Sequence, residues 1–191
     1  MRALLFYNMS NIFLCSDHHI GHMNLLNFKR NDGVTPLRSF NDVNHMNEHI
    51  VAQHNKVVGV NDRVYFLGDF CFNKRDLHIL SRMNGRKVLI KGNHDKLDLK
   101  DYILYFDDIR GSHQFDGMIL THIPVHPESL GRWPLNVHGH LHANIVTTMH
   151  HRNGDMFEVP DPRYFSVCME QLDDYIPISL EELKKRVKIL T

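Results

Sequence analysis

The four residues Gly92-Asn93-His94-Asp95 offer an amide oxygen, an imidazole and a carboxylate within one turn. They follow the apolar run 87–91, which reads as a short buried strand bounded by polar turn residues. The tetrapeptide therefore lies in the loop leaving a strand's C-terminal end, where open α/β sheets collect their chemistry. Alone it reads equally well as a polar turn in which Gly92 and Asn93 supply backbone freedom. Other strand exits repeat the theme. Ser16-Asp17-His18-His19 directly follows the run 11–15, and Asp17 and His19, two apart, project to one side if the chain stays extended. A carboxylate and an imidazole on one side suit half of a metal site; the structural alternative is a helix cap with an incidental histidine. The run 62–67 ends in Gly68-Asp69, where glycine lets the backbone crowd a ligand. The run 118–121 ends at His122. The run 135–137 ends at His138-Gly139-His140-Leu141-His142, with His140 and His142 again two apart.

The elements that must position these residues follow from the pattern between them. Leu25, Leu26 and Phe28 suggest a short helix after Gly21-His22, and a polar loop with Gly33 and Pro36 comes next. Asn41 or Asp42 caps a helix running to about residue 58, with Val43, Met46, Ile50, Val51 and His54 near helical spacing. A further helix is expected over 74–83, stopped by Asn84-Gly85. Strand and helix thus alternate up to residue 92, which argues for a mainly parallel sheet with helical crossovers. Beyond residue 105 short β-like runs appear at 109–115, 117–121, 135–139, 144–149 and 164–168. A helix closes the chain over 179–190, opened by Ser179 with Glu182 as a capping box.

The 191 residues read as a single domain spanning 1–191, long enough to bury a core without staples. Lys+Arg and Asp+Glu balance at 22 each, so no broad basic surface signals nucleic acid as a partner. Histidine is the outlier at 16, and it is the commonest metal ligand. Cys15, Cys71 and Cys168 have no C-x-x-C spacing, and an odd count favours reduced thiols. The N-terminal apolar run at 3–7 is too short for a signal core or a membrane span. A soluble, cytoplasmic protein without a membrane partner is expected. There is no internal repeat and no phosphate loop of the G-x-x-x-x-G-K type.

Read in order, the strand exits are Asp-x-His, Gly-Asp, Gly-Asn-His-Asp, His and Gly-His-x-His. This series resembles the calcineurin-like metallophosphoesterase superfamily, whose five motifs it matches in order from Asp17 to His142. The finer pattern Ser16-Asp17-x-His19-x-Gly21-His22, with Val64-Tyr65-x-Leu67-Gly68-Asp69-Phe70 and Pro177-Ile178-Ser179-Leu180-Glu181, resembles a small prokaryotic or phage-type subgroup. His18 departs from that pattern, where a small polar residue is more usual, and the resemblance assigns no role to the loop 29–40. The resemblance implies an α/β fold, a four-layer α-β-β-α sandwich of two facing mixed sheets with a di-metal site at one rim. It implies that Asp17, His19 and His142 hold one metal, that Asn93, His122 and His140 hold the other, and that Asp69 bridges both. It implies that His94 is the general acid, oriented by Asp95. The reaction implied is hydrolysis of phosphate mono- or diesters by metal-activated water attack, and the partner is a phosphate-ester substrate, a nucleotide among the candidates.

Elementary chemistry makes the same set sensible. Imidazole, carboxylate and amide oxygen suit two divalent ions, manganese first, with iron, zinc or nickel as alternatives. Four positive charges against the two of Asp17 and Asp69 leave an excess that favours a phosphate anion. His22 and His138 are candidates for bracing ligands or touching phosphate. Arg30, Arg38 and Arg132 could clamp substrate, although loop arginines are mostly just exposed. Trp133 beside Arg132 could stack on a base or pack on the core. His45, His49, His113, His126, His150 and His151 read as surface residues. Two other classes share the ligands: a scaffold that has lost catalysis, and a regulatory metal sensor. Neither gives a reason for a non-ligating His94.

Overall fold

β-Branched and aromatic residues bounded by polar turns make the strand β1 (Ile12–Cys15), the first element of the computed structural model. The structure describes residues 10–152 and 154–187; the apolar run at 3–7 and the end of the closing helix at 188–190 lie outside the described residues. After β1 come a 3-10 turn at Met23–Asn27 and the helix α1 (Val43–Val57). Asp42 caps α1 by accepting the His45 amide at 2.8 Å, and Met46, Ile50, Val51 and His54 form its buried face. Then follow β2 (Arg63–Phe66), a 3-10 segment at Lys74–Arg82 where an α-helix was expected, and β3 (Arg86–Ile90). Asn84-Gly85 ends that segment as expected, with Gly85 at φ 92°.

The rest of the chain comprises α2 (Leu99–Tyr102), β4 (Asp108–Arg110), β5 (Ser112–Phe115), β6 (Met118–Thr121), α3 (Pro127–Leu130), β7 (Leu135–His138), β8 (Thr147–Arg152), β9 (Asp155–Pro160), β10 (Tyr164–Ser166), β11 (Ile178–Ser179) and α4 (Leu180–Val187). The run expected at 144–149 is displaced into β8, and β9 was not foreseen. These two strands form a separate exposed hairpin, so burial imposes no alternation on their sequence. α4 starts as expected, with the Glu182 amide donating to Ser179 Oγ at 3.1 Å. The Glu182 carboxylate turns to Arg186 at 2.9 Å instead of completing the capping box.

The chain is mixed α/β, with one five-stranded sheet ordered β11-β1-β2-β3-β4 and one four-stranded sheet ordered β10-β7-β6-β5. In the first, β1 to β4 are parallel and β11 runs against β1. In the second, β10, β7 and β6 are parallel and β5 is antiparallel to β6. One hydrophobic cluster takes residues from both sheets: Phe13, Leu14, Val64, Phe66 and Leu89 from the first, Met118, Leu120 and Val137 from the second.

Register decides where the exits fall. Cys15, Phe66 and Leu89 pair in one row across β1, β2 and β3, so the loops starting at Ser16, Leu67 and Lys91 leave side by side. In the second sheet Leu120 pairs with Val137, which brings His122 and Gly139 to the same edge. The five motifs meet because parallel strands in register end together. No helix among the described residues is long and apolar enough to cross a membrane.

Candidate metal centre

Asp17 and His19 do not use an extended backbone to face the same side. Asp17 sits at φ 59° and His19 at φ 49°, and His140 (72°), His142 (52°) and Asp69 (55°) are likewise left-handed. Such conformations cost a non-glycine residue on the order of 1 kcal/mol each, so something must hold them. The holding groups lie across the loops. The Asp17 amide donates to Gly68 O at 3.0 Å, the His19 amide to Asp69 O at 3.0 Å and the Ile20 amide to Phe70 O at 2.8 Å. Ser16 Oγ donates to Leu67 O at 2.7 Å. The His140 amide donates to Asp17 Oδ2 at 2.8 Å, joining the two sheets' exit loops.

Close approach explains two glycines here. A Cβ on Gly68 would lie 2.6 Å from His122 Nδ1 and 2.7 Å from the Gly92 Cα. A Cβ on Gly139 would lie 2.5 Å from Asp17 Oδ2.

The seven donor side chains expected from the sequence are gathered at this edge. His19 Nε2 lies 3.7 Å from both Asp17 Oδ1 and Asp69 Oδ2. His142 Nε2 lies 3.9 Å from Asp17 Oδ1, and His122 Nε2 lies 3.3 Å from Asp69 Oδ2. Asn93 Oδ1 is 2.8 Å from His122 Nε2, and the His140 ring stands edge-on to the His122 ring at 5.1 Å. Two sets, Asp17 with His19 and His142, and Asp17 with Asp69 and His122, could hold a metal ion, each with its donor atoms within 4.8 Å of one another.

Their unsatisfied atoms fit that role. Asp17 Oδ1 and both ring nitrogens of His19 are buried without a hydrogen-bond partner, a state that ordinarily costs free energy. Burial raises the Asp17 carboxyl, but His19 and the charges of His122 and His142 outweigh it and hold the group well below the usual carboxylate range. Asp69 is likewise lowered by His122 against its burial. Burial opposes protonation of His122 and His142, yet Asp69 raises the first and Glu170 the second. The buried carboxylates thus draw positive charge into the cluster, and a divalent cation supplies that charge in a form these donors can share.

Tautomers are set from behind. His122 Nδ1 donates to Leu67 O at 2.7 Å, and His142 Nδ1 donates to Glu170 Oε1 at 3.0 Å, so each ring is anchored through Nδ1 and turns Nε2 towards the carboxylates. Glu170 had no sequence signal. Arg38, expected in an exposed loop, is 1% exposed. It donates to the carbonyls of Asp17 and His18 and to Glu170 Oε1. It braces the centre from within and is not available to clamp substrate. Cys168, also without a signal, points its Sγ at Asp17 Oδ2 at 3.2 Å.

Asp95 differs from the expected role. Its carboxylate accepts the amides of Asp69 and Gly92 at 2.8 Å each and of Phe70 at 3.1 Å, tying two exit loops together instead of orienting the His94 ring. His94 is placed by its own amide, which donates to Asp69 Oδ1 at 2.8 Å. Its ring lies 4.8 Å from Phe72 and edge-on to His19 at 5.7 Å. His22 flanks His19 at 5.6 Å. His138 is buried and turned to Gly139 O at 2.8 Å, while Arg30 and Arg132 are exposed, the latter stacked on Trp133. His18 is fully buried against Phe66 and Phe70.

No protein-family model matches the chain. It is 35% identical over 92 residues to the Gene 66 protein of Mycobacterium phage L5, covering 46% of this chain and 41% of that protein. Among solved structures it resembles the protein of unknown function AQ665 from Aquifex aeolicus, with a TM-score of 0.67 and 26% identity, covering 93% of this chain and 100% of that one. It is 30% identical over 185 residues to the uncharacterized protein MJ1445 of Methanocaldococcus jannaschii, covering 95% of this chain and 93% of that protein. At that identity and coverage, the chain belongs to the family of the Methanocaldococcus jannaschii protein MJ1445.

Proposed function

We propose that the protein is a metallophosphoesterase of the calcineurin-like type, hydrolysing phosphate mono- or diesters with two divalent ions, manganese foremost. The observation that carries this reading is the unpaired buried pair Asp17 Oδ1 and His19 Nε2, ringed by donors from five strand exits. The same reading gives the two sheets a face-to-face, four-layer arrangement with the centre at one rim. Their shared hydrophobic cluster and the Tyr65–Phe115 ring contact at 5.1 Å support it. Buried free thiols at Cys15, Cys71 and Cys168 agree with a reducing, cytoplasmic setting.

Asp17, His19 and His142 would hold one ion and Asn93, His122 and His140 the other, with the Asp69 carboxylate between them. When bound, two such ions supply positive charge for the phosphoryl oxygens and a nucleophile drawn from water at neutral pH. Asp69 Oδ2 faces His19 and His122, whereas Oδ1 holds the His94 amide. One carboxylate thereby couples the ligand cluster to the proposed acid. The His94 ring, outside both ligand sets, gives its proton to the departing alkoxide. Arg38 neutralises the buried charge of Glu170 and fixes the turn carrying Asp17.

Reconstitution with manganese, iron, zinc and nickel, followed by metal analysis and assay of generic monoesters and diesters, tests the proposal. Two ions per chain and metal-dependent turnover are expected. Saturation at one ion or none, or two ions without turnover of any ester, would overturn it.

A further inference from the structure

We propose that this centre selects esters whose leaving group carries a planar ring, seated on an aromatic shelf made by Phe72, His22 and Phe28; the inference rests on the phosphoesterase reading above. The shelf begins at the proposed acid. The Phe72 ring lies 4.8 Å from His94, stacks on His19 at 5.3 Å and 25°, and lies 4.4 Å from His22. His22 in turn meets Phe28 edge-on, at 5.9 Å and 84°. Rings therefore continue outwards from His94 to the rim. The group that takes the proton of His94 is the leaving oxygen, so the remainder of the leaving group departs over Phe72.

The rim of the shelf is apolar and open. Phe28, the outer ring of the shelf, is 48% exposed. Large apolar side chains grouped at the mouth of a polar site are suited to a ligand face. Aromatic planes bind planar rings by stacking, whatever the identity of the ring. The shelf is also preformed. The Leu37 amide donates to Phe28 O at 2.8 Å, and the next residue, Arg38, is anchored in the core. Lys29 bridges to Pro36, closing the loop 29–36 into a small hairpin. Asn31 Nδ2 donates to Asn144 Oδ1 at 2.7 Å, tying that hairpin to the loop behind His142. A ring placed on Phe72 meets a wall already in position, so little ordering entropy opposes binding.

The test uses matched alcohols that differ only in the ring. Benzyl phosphate is compared with propyl phosphate, and a nucleoside 5′-phosphate with ribose 5-phosphate, each also as its methyl diester, on the metal-loaded enzyme. The ring-bearing member of each pair should be favoured by about 5- to 100-fold in kcat/KM, chiefly through KM. Preference in both pairs indicates rings in general, and preference in the second pair alone indicates a nucleotide. Phe72→Leu and Phe28→Leu should each reduce that preference at least threefold. Because Phe72 also supports His19, the Phe28 variant separates the shelf from the metal centre. Binding of benzylphosphonate against propylphosphonate, measured by calorimetry, gives the same comparison without turnover. Equal use of the two members of each pair by the wild-type enzyme, or variants that lower both alike, would overturn the shelf alone. No turnover of any ester with two ions bound would overturn the phosphoesterase reading and the shelf with it.

Discussion

Glu170 Oε1 receives the His142 Nδ1–H at 3.0 Å, and the same oxygen receives Arg38 Nε at 2.7 Å. Burial disfavours the Glu170 charge, but Arg38 and His142 hold the carboxyl below its ordinary range, so His142 is braced by an anion. Glu170→Gln keeps the shape and removes that anion. The affinity of the Asp17–His19–His142 set for metal should fall about 10- to 100-fold, the usual effect of losing a group behind a ligand. The other set should keep its ion. Chelator competition checks this, and equal weakening of both sites would assign Glu170 a general folding role.

The Asp69 carboxylate lies between His19 and His122, with Oδ2 3.7 Å from the first and 3.3 Å from the second. Asp69→Asn preserves volume while deleting the charge that offsets repulsion between two cations. Activity should fall by orders of magnitude, and at least one ion should be retained poorly. Near-normal turnover with two ions per chain would remove Asp69 from the bridging position.

His94 is held by its backbone and by ring contacts, outside both ligand sets. His94→Ala should therefore retain both ions. On esters with poor leaving groups it should lose roughly 10²- to 10⁴-fold in rate, the typical worth of a placed general acid. An aryl phosphate with an acidic phenol needs no such proton and should lose clearly less. Equal losses on both substrates, or loss of an ion, would dismiss His94 as the acid.

The acid limb of stability has a marker away from the centre. His54 is buried in α1, its Nε2 donating to Asn84 O at 2.9 Å and its Nδ1 without a partner. Burial lowers its pKa to about 4. Its folded value lies below the unfolded value, so its contribution is present above about pH 6.5 and is lost as pH falls towards 4. Between pH 7 and pH 5 this costs about 2 kcal/mol. His54→Gln keeps a donor for Asn84 and should remove that part of the slope. Urea unfolding of chelated protein at both pH values measures the difference, and parallel losses in the two proteins would contradict it.

Within the centre, legibility followed distance along the chain. Asp17 and His19, or His140 and His142, lie two residues apart, and such spacing is visible without knowing the fold. Arg38 and Glu170 are separated by 132 positions, and no local pattern marks either. Arg38 sits in a polar loop where exposure is the ordinary expectation, yet it is the largest fully buried side chain among the described residues. Asp95 was legible as part of the site, but two of its three partners, the Asp69 and Phe70 amides, lie in a different loop and make it a tether between strands.

The sequence by itself determined which residue types stand at each strand exit and which stretches become β1, α1, β2 and β3. Those signals are local: apolar periodicity, a capping Asp42 and turn glycines act over a few residues. Only the tertiary structure decided that Asp17, His19, Asp69, His140 and His142 take left-handed backbone. That conformation is imposed by hydrogen bonds between loops, together with Arg38 on the Asp17 carbonyl. It also decided that Phe72, His22 and Phe28 line one side of the centre, since ring contacts depend on how loops settle after their strands have paired. Strand register brings the exits together, and long-range hydrogen bonding sets the direction of each side chain there.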